Sequence, residues 1–178
     1  MNRNLVAAFA APALALAAVG VSAAFASADS GAAYGSTLTR LSAEAARANA
    51  EETFARADLD KSGALDAREY AALALVTAEL SRLNGYVAYD MQGGVQTVAL
   101  PVKSPEALTG GERARVLAVA YSNFYAAAGD DGQMSRDEFS GETSKRFKEA
   151  DRNRNGVLAR SELVTYAAKE ASVLRSDA

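Results

Sequence analysis

The chain has 178 residues, 49% hydrophobic and 23% charged, with a formal net charge of −3. That is enough apolar material for one folded domain and too little chain for two large ones. With no cysteine and no histidine, disulfide frameworks, thiolate or imidazole metal sites and nucleophile–histidine catalysis are excluded, and the mildly acidic balance speaks against nucleic acid as a partner.

The first feature in chain order is a leader. Met1-Asn2-Arg3-Asn4 is a short positive start, and Leu5 to Val21 is an apolar run broken only by Pro12 and Gly20. Ala24-Phe25-Ala26-Ser27-Ala28-Asp29 then gives a small-residue boundary. This is the three-part plan of a secretory signal peptide, with cleavage before Ser27 or Asp29 reading equally well. A membrane anchor is the competing reading, because a spanning helix needs roughly 17–25 apolar residues. Alanine richness, Pro12 and Gly20 weigh against it. Residues 1–28 therefore read as a signal peptide and 29–178 as a single exported domain, periplasmic or secreted, with no membrane span after cleavage. Loss of Arg3 leaves 18 basic against 22 acidic side chains, or −4.

Leu41 to Ala57 has a helical pattern with Ser42 as N-cap. It runs into Asp58-Leu59-Asp60-Lys61-Ser62-Gly63-Ala64-Leu65-Asp66-Ala67-Arg68-Glu69, where oxygen-bearing side chains stand at the first, third, fifth, ninth and twelfth places and glycine at the sixth. A calcium ion takes six to eight hard oxygen ligands at about 2.3–2.6 Å, and this spacing wraps them around one point. Asp58, Asp60 and Ser62 offer side-chain oxygens, Ala64 a backbone carbonyl, Asp66 a ninth-place carboxylate and Glu69 both of its oxygens. Gly63 allows the sharp turn.

Ala67 to Leu83 continues helical, with Tyr70, Leu73, Val76 and Leu80 expected on one face, and Asn84-Gly85 ends it. From about 85 to 100 the period changes to that of a β-hairpin with a glycine turn. Its role is packing or a partner-binding edge. Glu112 to Ala128 is helical again. The stretch 127–138 has the glycine (Gly132), the apolar residue two later (Met134) and the closing Glu138, but, counted back from Gly132, Ala127 and Gly129 at its first and third places; counted from Phe124 instead, the loop is one residue short, and either way its first half is damaged. It reads as a degenerate loop that pairs with the last one and binds little.

That last loop is Asp151-Arg152-Asn153-Arg154-Asn155-Gly156-Val157-Leu158-Ala159-Arg160-Ser161-Glu162. Asp151, Asn153, Asn155, the Val157 carbonyl and Glu162 stand at ligand places, whereas Ala159 at the ninth leaves that vertex to water. Phe54 and Phe147 each precede their first aspartate by four residues. Between Glu138 and Asp151 only twelve residues intervene, room for one helix of about 18 Å. The helix leaving one unit is then the helix entering the next.

Phe54–Tyr70 and Gly129–Leu163 closely resemble the EF-hand superfamily, and the compact units are similar to those of small exported bacterial EF-hand proteins. The resemblance implies a mainly α, EF-hand-like fold with a small β-hairpin insertion. It also implies a function in calcium binding, as a buffer, a sensor or a calcium-stabilised module with an unidentified protein partner, and not an enzyme. The alternatives are a structural envelope protein with inert loops and, behind it, an enzyme that uses calcium for stability.

Overall fold

The computed structural model describes residues 35–91, 93–101 and 106–171. The proposed signal peptide lies outside the described residues. Among those described, no helix is long and apolar enough to cross a membrane.

Five helices carry the chain: α1 (Ala43–Ala57), α2 (Ala67–Asn84), α3 (Gly110–Ala127), α4 (Arg136–Ala150) and α5 (Ser161–Ala171). Local chemistry fixes their starts. Ser42 caps α1 by accepting from the Ala45 N–H at 3.1 Å. The helices α2, α3 and α4 each open with a reciprocal capping box, formed by Asp66 with Glu69, Thr109 with Glu112 and Ser135 with Glu138. Each box satisfies N–H groups that the first turn leaves without a helical partner. Gly85 stops α2 in the left-handed conformation at φ 72°, its N–H donating to the Ser81 carbonyl.

The strands are short and join distant segments: β1 (Ser36–Thr37), β2 (Arg40–Ser42), β3 (Ala64–Leu65), β4 (Tyr86–Met91), β5 (Gly94–Ala99), β6 (Met134–Ser135) and β7 (Val157–Ala159). The hairpin β4–β5 extends to β1, which runs parallel to β5. The strand β2 pairs antiparallel with β7, placing Leu41 opposite Leu158, and β3 pairs antiparallel with β6, placing Leu65 opposite Met134. Because β2 precedes α1 and β7 follows α4, while β3 follows α1 and β6 precedes α4, the two helices lie antiparallel.

Two cores result. Ala50, Phe54, Leu65, Tyr70, Phe124, Met134 and Phe139 fill the one at the C-terminal end of α1. Leu41, Ala46, Val87, Tyr89, Phe147, Leu158 and Tyr166 fill the one at the C-terminal end of α4, with the hairpin against it. Both α1 and α4 contribute to both cores. The fold is mainly α with small strands, and one 15-residue helix, α4, serves as leaving helix of one unit and entering helix of the next.

Two expectations change. The stretch around Gly132 does not pair with the last loop, since β6 joins β3 of the first loop. Of the two counts for its start, the one from Phe124 holds, because α3 ends at Ala127 and Ala128 caps it with an N–H donated to the Phe124 carbonyl. Ala128 therefore takes the place of Asp58 and Asp151, and the loop is one residue shorter than its two relatives. Finally, Val76 and Leu80 are 54% and 53% exposed, and α2 instead buries Tyr70, Ala71, Ala78 and Ser81. The alanine face wins because Ala78 lets Val116 of α3 and Leu108 approach closely.

Candidate metal centre

The first loop begins where α1 runs out. Asp58 is the C-cap of α1, and its N–H still reaches the Phe54 carbonyl at 3.0 Å. Its carboxylate then turns back over the loop, accepting from the Ser62 N–H at 2.9 Å and the Gly63 N–H at 3.0 Å. Asp60 also accepts from the Ser62 N–H, at 2.9 Å. That N–H, and after it the Ser62 hydroxyl, hold the Asp60 carboxyl below the usual carboxylate range. The backbone needed for this winding includes positive φ at Lys61 (59°) and Gly63 (86°).

Glu69 closes the loop from the first turn of α2. One carboxylate oxygen accepts from the Leu59 N–H at 2.8 Å and the other from the Asp66 N–H at 3.0 Å. Carboxylate oxygens of Asp58, Asp60 and Glu69 lie within 4.8 Å of one another. Like charges held this close repel, and a divalent cation at their centre removes the repulsion. Asp66 faces α2 instead, accepting from the Arg68 and Glu69 N–H groups at 2.7 and 2.8 Å. The Ser62 hydroxyl donates to the Ala64 carbonyl at 2.8 Å, so those two oxygens also stand side by side.

The last loop repeats the winding. Asp151, 9% exposed, accepts from the Asn155 N–H at 3.1 Å and the Gly156 N–H at 2.9 Å. Positive φ recurs at the same places, Arg154 (59°) and Gly156 (75°). Its chemistry differs. The Asn153 amide nitrogen donates to both oxygens of Glu162, at 3.1 and 3.3 Å. A neutral amide donor thus faces the closing carboxylate where the first loop sets carboxylate against carboxylate. Asn155 accepts from the Val157 N–H at 2.9 Å.

The intervening loop keeps the outer frame and a fifth-place carboxylate, Asp131, which accepts from the Gln133 N–H at 3.0 Å, but lacks the opening aspartate. Gly132 keeps a positive φ of 69°, but its N–H bonds to the Gly129 carbonyl rather than to an opening aspartate. Glu138 is occupied by Ser135, whose hydroxyl, and after it the backbone N–H, hold the Glu138 carboxyl below its usual range.

One element escaped the sequence reading. Leu41-Ser42-Ala43-Glu44-Ala45 has the form of Leu65-Asp66-Ala67-Arg68-Glu69 and Met134-Ser135-Arg136-Asp137-Glu138: an apolar residue, an N-cap and, three residues on, the closing place. With Ala45 at that place, β2 and the start of α1 match the second half of a loop without its closing carboxylate. The apolar–cap pair was the signal for it.

The residue types fit one class of ion. Every donor in the two complete loops is an oxygen, which suits hard cations and none of the thiophilic metals. The family model described as EF hand matches residues 50–74, spanning the first loop with the end of α1 and the start of α2. Comparison with curated proteins and with solved structures gives no match.

Proposed function

We propose that this chain, a member of the EF-hand superfamily, is an exported calcium-binding protein with two sites, acting through calcium-dependent stability rather than through chemistry on a substrate. The observation that carries the reading is the convergence of Asp58, Asp60 and Glu69 within 4.8 Å. Asp58, Asp60, Ser62, the Ala64 carbonyl and Glu69 hold the ion in the first loop, with Asp66 acting through water. In the last loop Asp151, Asn153, Asn155, the Val157 carbonyl and Glu162 do so. Export, to a periplasmic or extracellular setting, rests on the leader pattern of residues 1–28.

Calcium that binds only the folded loop stabilises by RT ln(1 + [L]/Kd), about 2.7 kcal/mol at a hundredfold excess over Kd. For a domain of this size the melting temperature rises by roughly 5–10 °C. Magnesium does much less, because it demands a tight octahedron and gives up water reluctantly. Thermal melts in chelator, millimolar magnesium and millimolar calcium test the reading. Equal midpoints in all three overturn it and leave a structural protein with inert loops.

A further inference from the structure

The last turn of α5 carries a polar cluster that the calcium loops do not use. Tyr89 of β4 and Tyr166 of α5 are each 1% exposed, and their rings stack at 6.4 Å and 23°. Glu170, half-buried, stands one turn beyond Tyr166 on the same face of α5. Its carboxyl faces both hydroxyls. The Tyr89 hydroxyl is buried and has no hydrogen-bond partner among the described residues. The cation facing Glu170 is Arg146 of α4, which also lies beside Tyr70 of α2. The strands β5 and β7 also pack against α5 and carry no titratable side chain. Lys169 is turned to Glu149 instead, at 2.9 Å.

From this arrangement we infer that Glu170 is a pH-responsive clasp between the hairpin and α5. With a proton on its carboxyl, Glu170 donates to one tyrosine oxygen and accepts from the other hydroxyl, which ties β4 to α5 inside the core. When the proton leaves, the charge is drawn towards Arg146 and the solvent edge of α5. The Tyr89 hydroxyl is then left without a partner, as it stands in the structure. Burial lifts the Glu170 carboxyl above the usual range, although Arg146 and the two hydroxyls pull it down. The folded chain therefore holds this proton more tightly than the unfolded chain does. Its contribution to stability is full below the ordinary value of 4.5 and is lost as pH rises through the raised one. The chain has no histidine and no cysteine. Between about pH 5 and 7.5, then, no other side chain at its ordinary value competes for the effect.

The test is urea unfolding of the full chain between about pH 5 and 7.5. All of it is done in chelator, so that a failure of calcium binding leaves the result untouched. The expected result is a higher midpoint at the acid end. The folded-to-unfolded ratio should gain roughly tenfold for each pH unit by which the carboxyl is raised. Glu170→Gln keeps the shape and both bonds but cannot ionise. Its midpoint should be flat across the range and above that of the unsubstituted chain at the alkaline end. Tyr89→Phe removes the orphaned hydroxyl and should shrink the step. Carbon-13 NMR of the Glu170 carboxyl in the unsubstituted chain reads the same proton directly, and should show it titrating above the ordinary glutamate range. A flat midpoint in the unsubstituted chain overturns the assignment, as does a Glu170 carboxyl that titrates at or below that range. So does a step that persists in Glu170→Gln or is unchanged in Tyr89→Phe, or a Glu170→Gln chain less stable than the unsubstituted one at the alkaline end.

Discussion

The two complete loops sit at opposite ends of the antiparallel α1–α4 pair, and the two ends are built differently. At the end holding 58–69, β3 is paired with a loop that has kept its glycine and closing glutamate but lost its opening ligands. At the end holding 151–162, β7 is paired with β2, of which only the second half of a loop survives. Each complete loop is therefore joined to a partner that holds no full ligand set. A helix of 15 residues, about 22 Å long, lies between the two. The lesson concerns coupling. No strand ladder among the described residues links one complete loop to the other, so each is expected to fill on its own terms.

Charge separates the ends further. Four carboxylates against two cations give the first loop −2, and two carboxylates against three arginines give the last loop +1. Affinity in such loops follows ligand charge and rigidity. The first loop must hold repelling carboxylates together when no cation is present, whereas the last must give up the Asn153–Glu162 hydrogen bonds when one arrives.

The largest expected effect on calcium affinity itself comes from the closing glutamates. Glu69→Gln and Glu162→Gln should each weaken calcium binding at their own loop by roughly tenfold or more, since an amide supplies one oxygen and no charge. Calorimetric titration checks this, and independence of the ends requires that the other loop keep its isotherm. A change at both loops from one substitution breaks the comparison.

Next come the aromatic anchors. Phe54 is fully buried, packs edge-on against Phe139 at 5.8 Å and lies beneath the Arg136 guanidinium. Phe54→Ala should cost about 3–5 kcal/mol in urea unfolding and loosen the first loop in particular. Phe147→Ala should do the same to the last loop. Equal loss of calcium affinity at both loops in either variant would mean that the two cores are not separate supports.

The smallest effect comes from the sixth-place glycines. A methyl group at Gly63 or Gly156 meets nothing within 4 Å, but φ is +86° and +75°. Alanine should therefore cost only the left-handed strain, about 1–2 kcal/mol at each. Denaturant midpoints report it, and a large inequality between the two would show that the loops do not share one backbone shape.

How much of this was legible in the sequence follows from the same residues. The two complete loops, the start of α1 and the hairpin were readable because each is local: a twelve-residue spacing, a Ser before a helical pattern, a pair of glycines between alternating residues. The pairing of the loops was not. Leu41, Leu65, Met134 and Leu158 are all apolar residues of their short strands, and nothing in their side chains selects a partner. What decides is the length of α4, which keeps the loops at its two ends apart. That length was already implied by the twelve residues between Glu138 and Asp151. The buried face of α2 was misread for a different reason. Bulky residues drew the helical stripe to Val76 and Leu80, whereas close packing against α3 uses the alanines.

The difference between the ends is tested most directly by a site-resolved calcium titration, read at the amides of Gly63 and Gly156. Each donates to the opening aspartate of its own loop, at 3.0 and 2.9 Å, and so reports that loop alone. The expected result is that Gly63 saturates at lower calcium than Gly156, each along a simple hyperbola. Filling of the Gly156 loop first, or a joint sigmoidal filling of both, would contradict it.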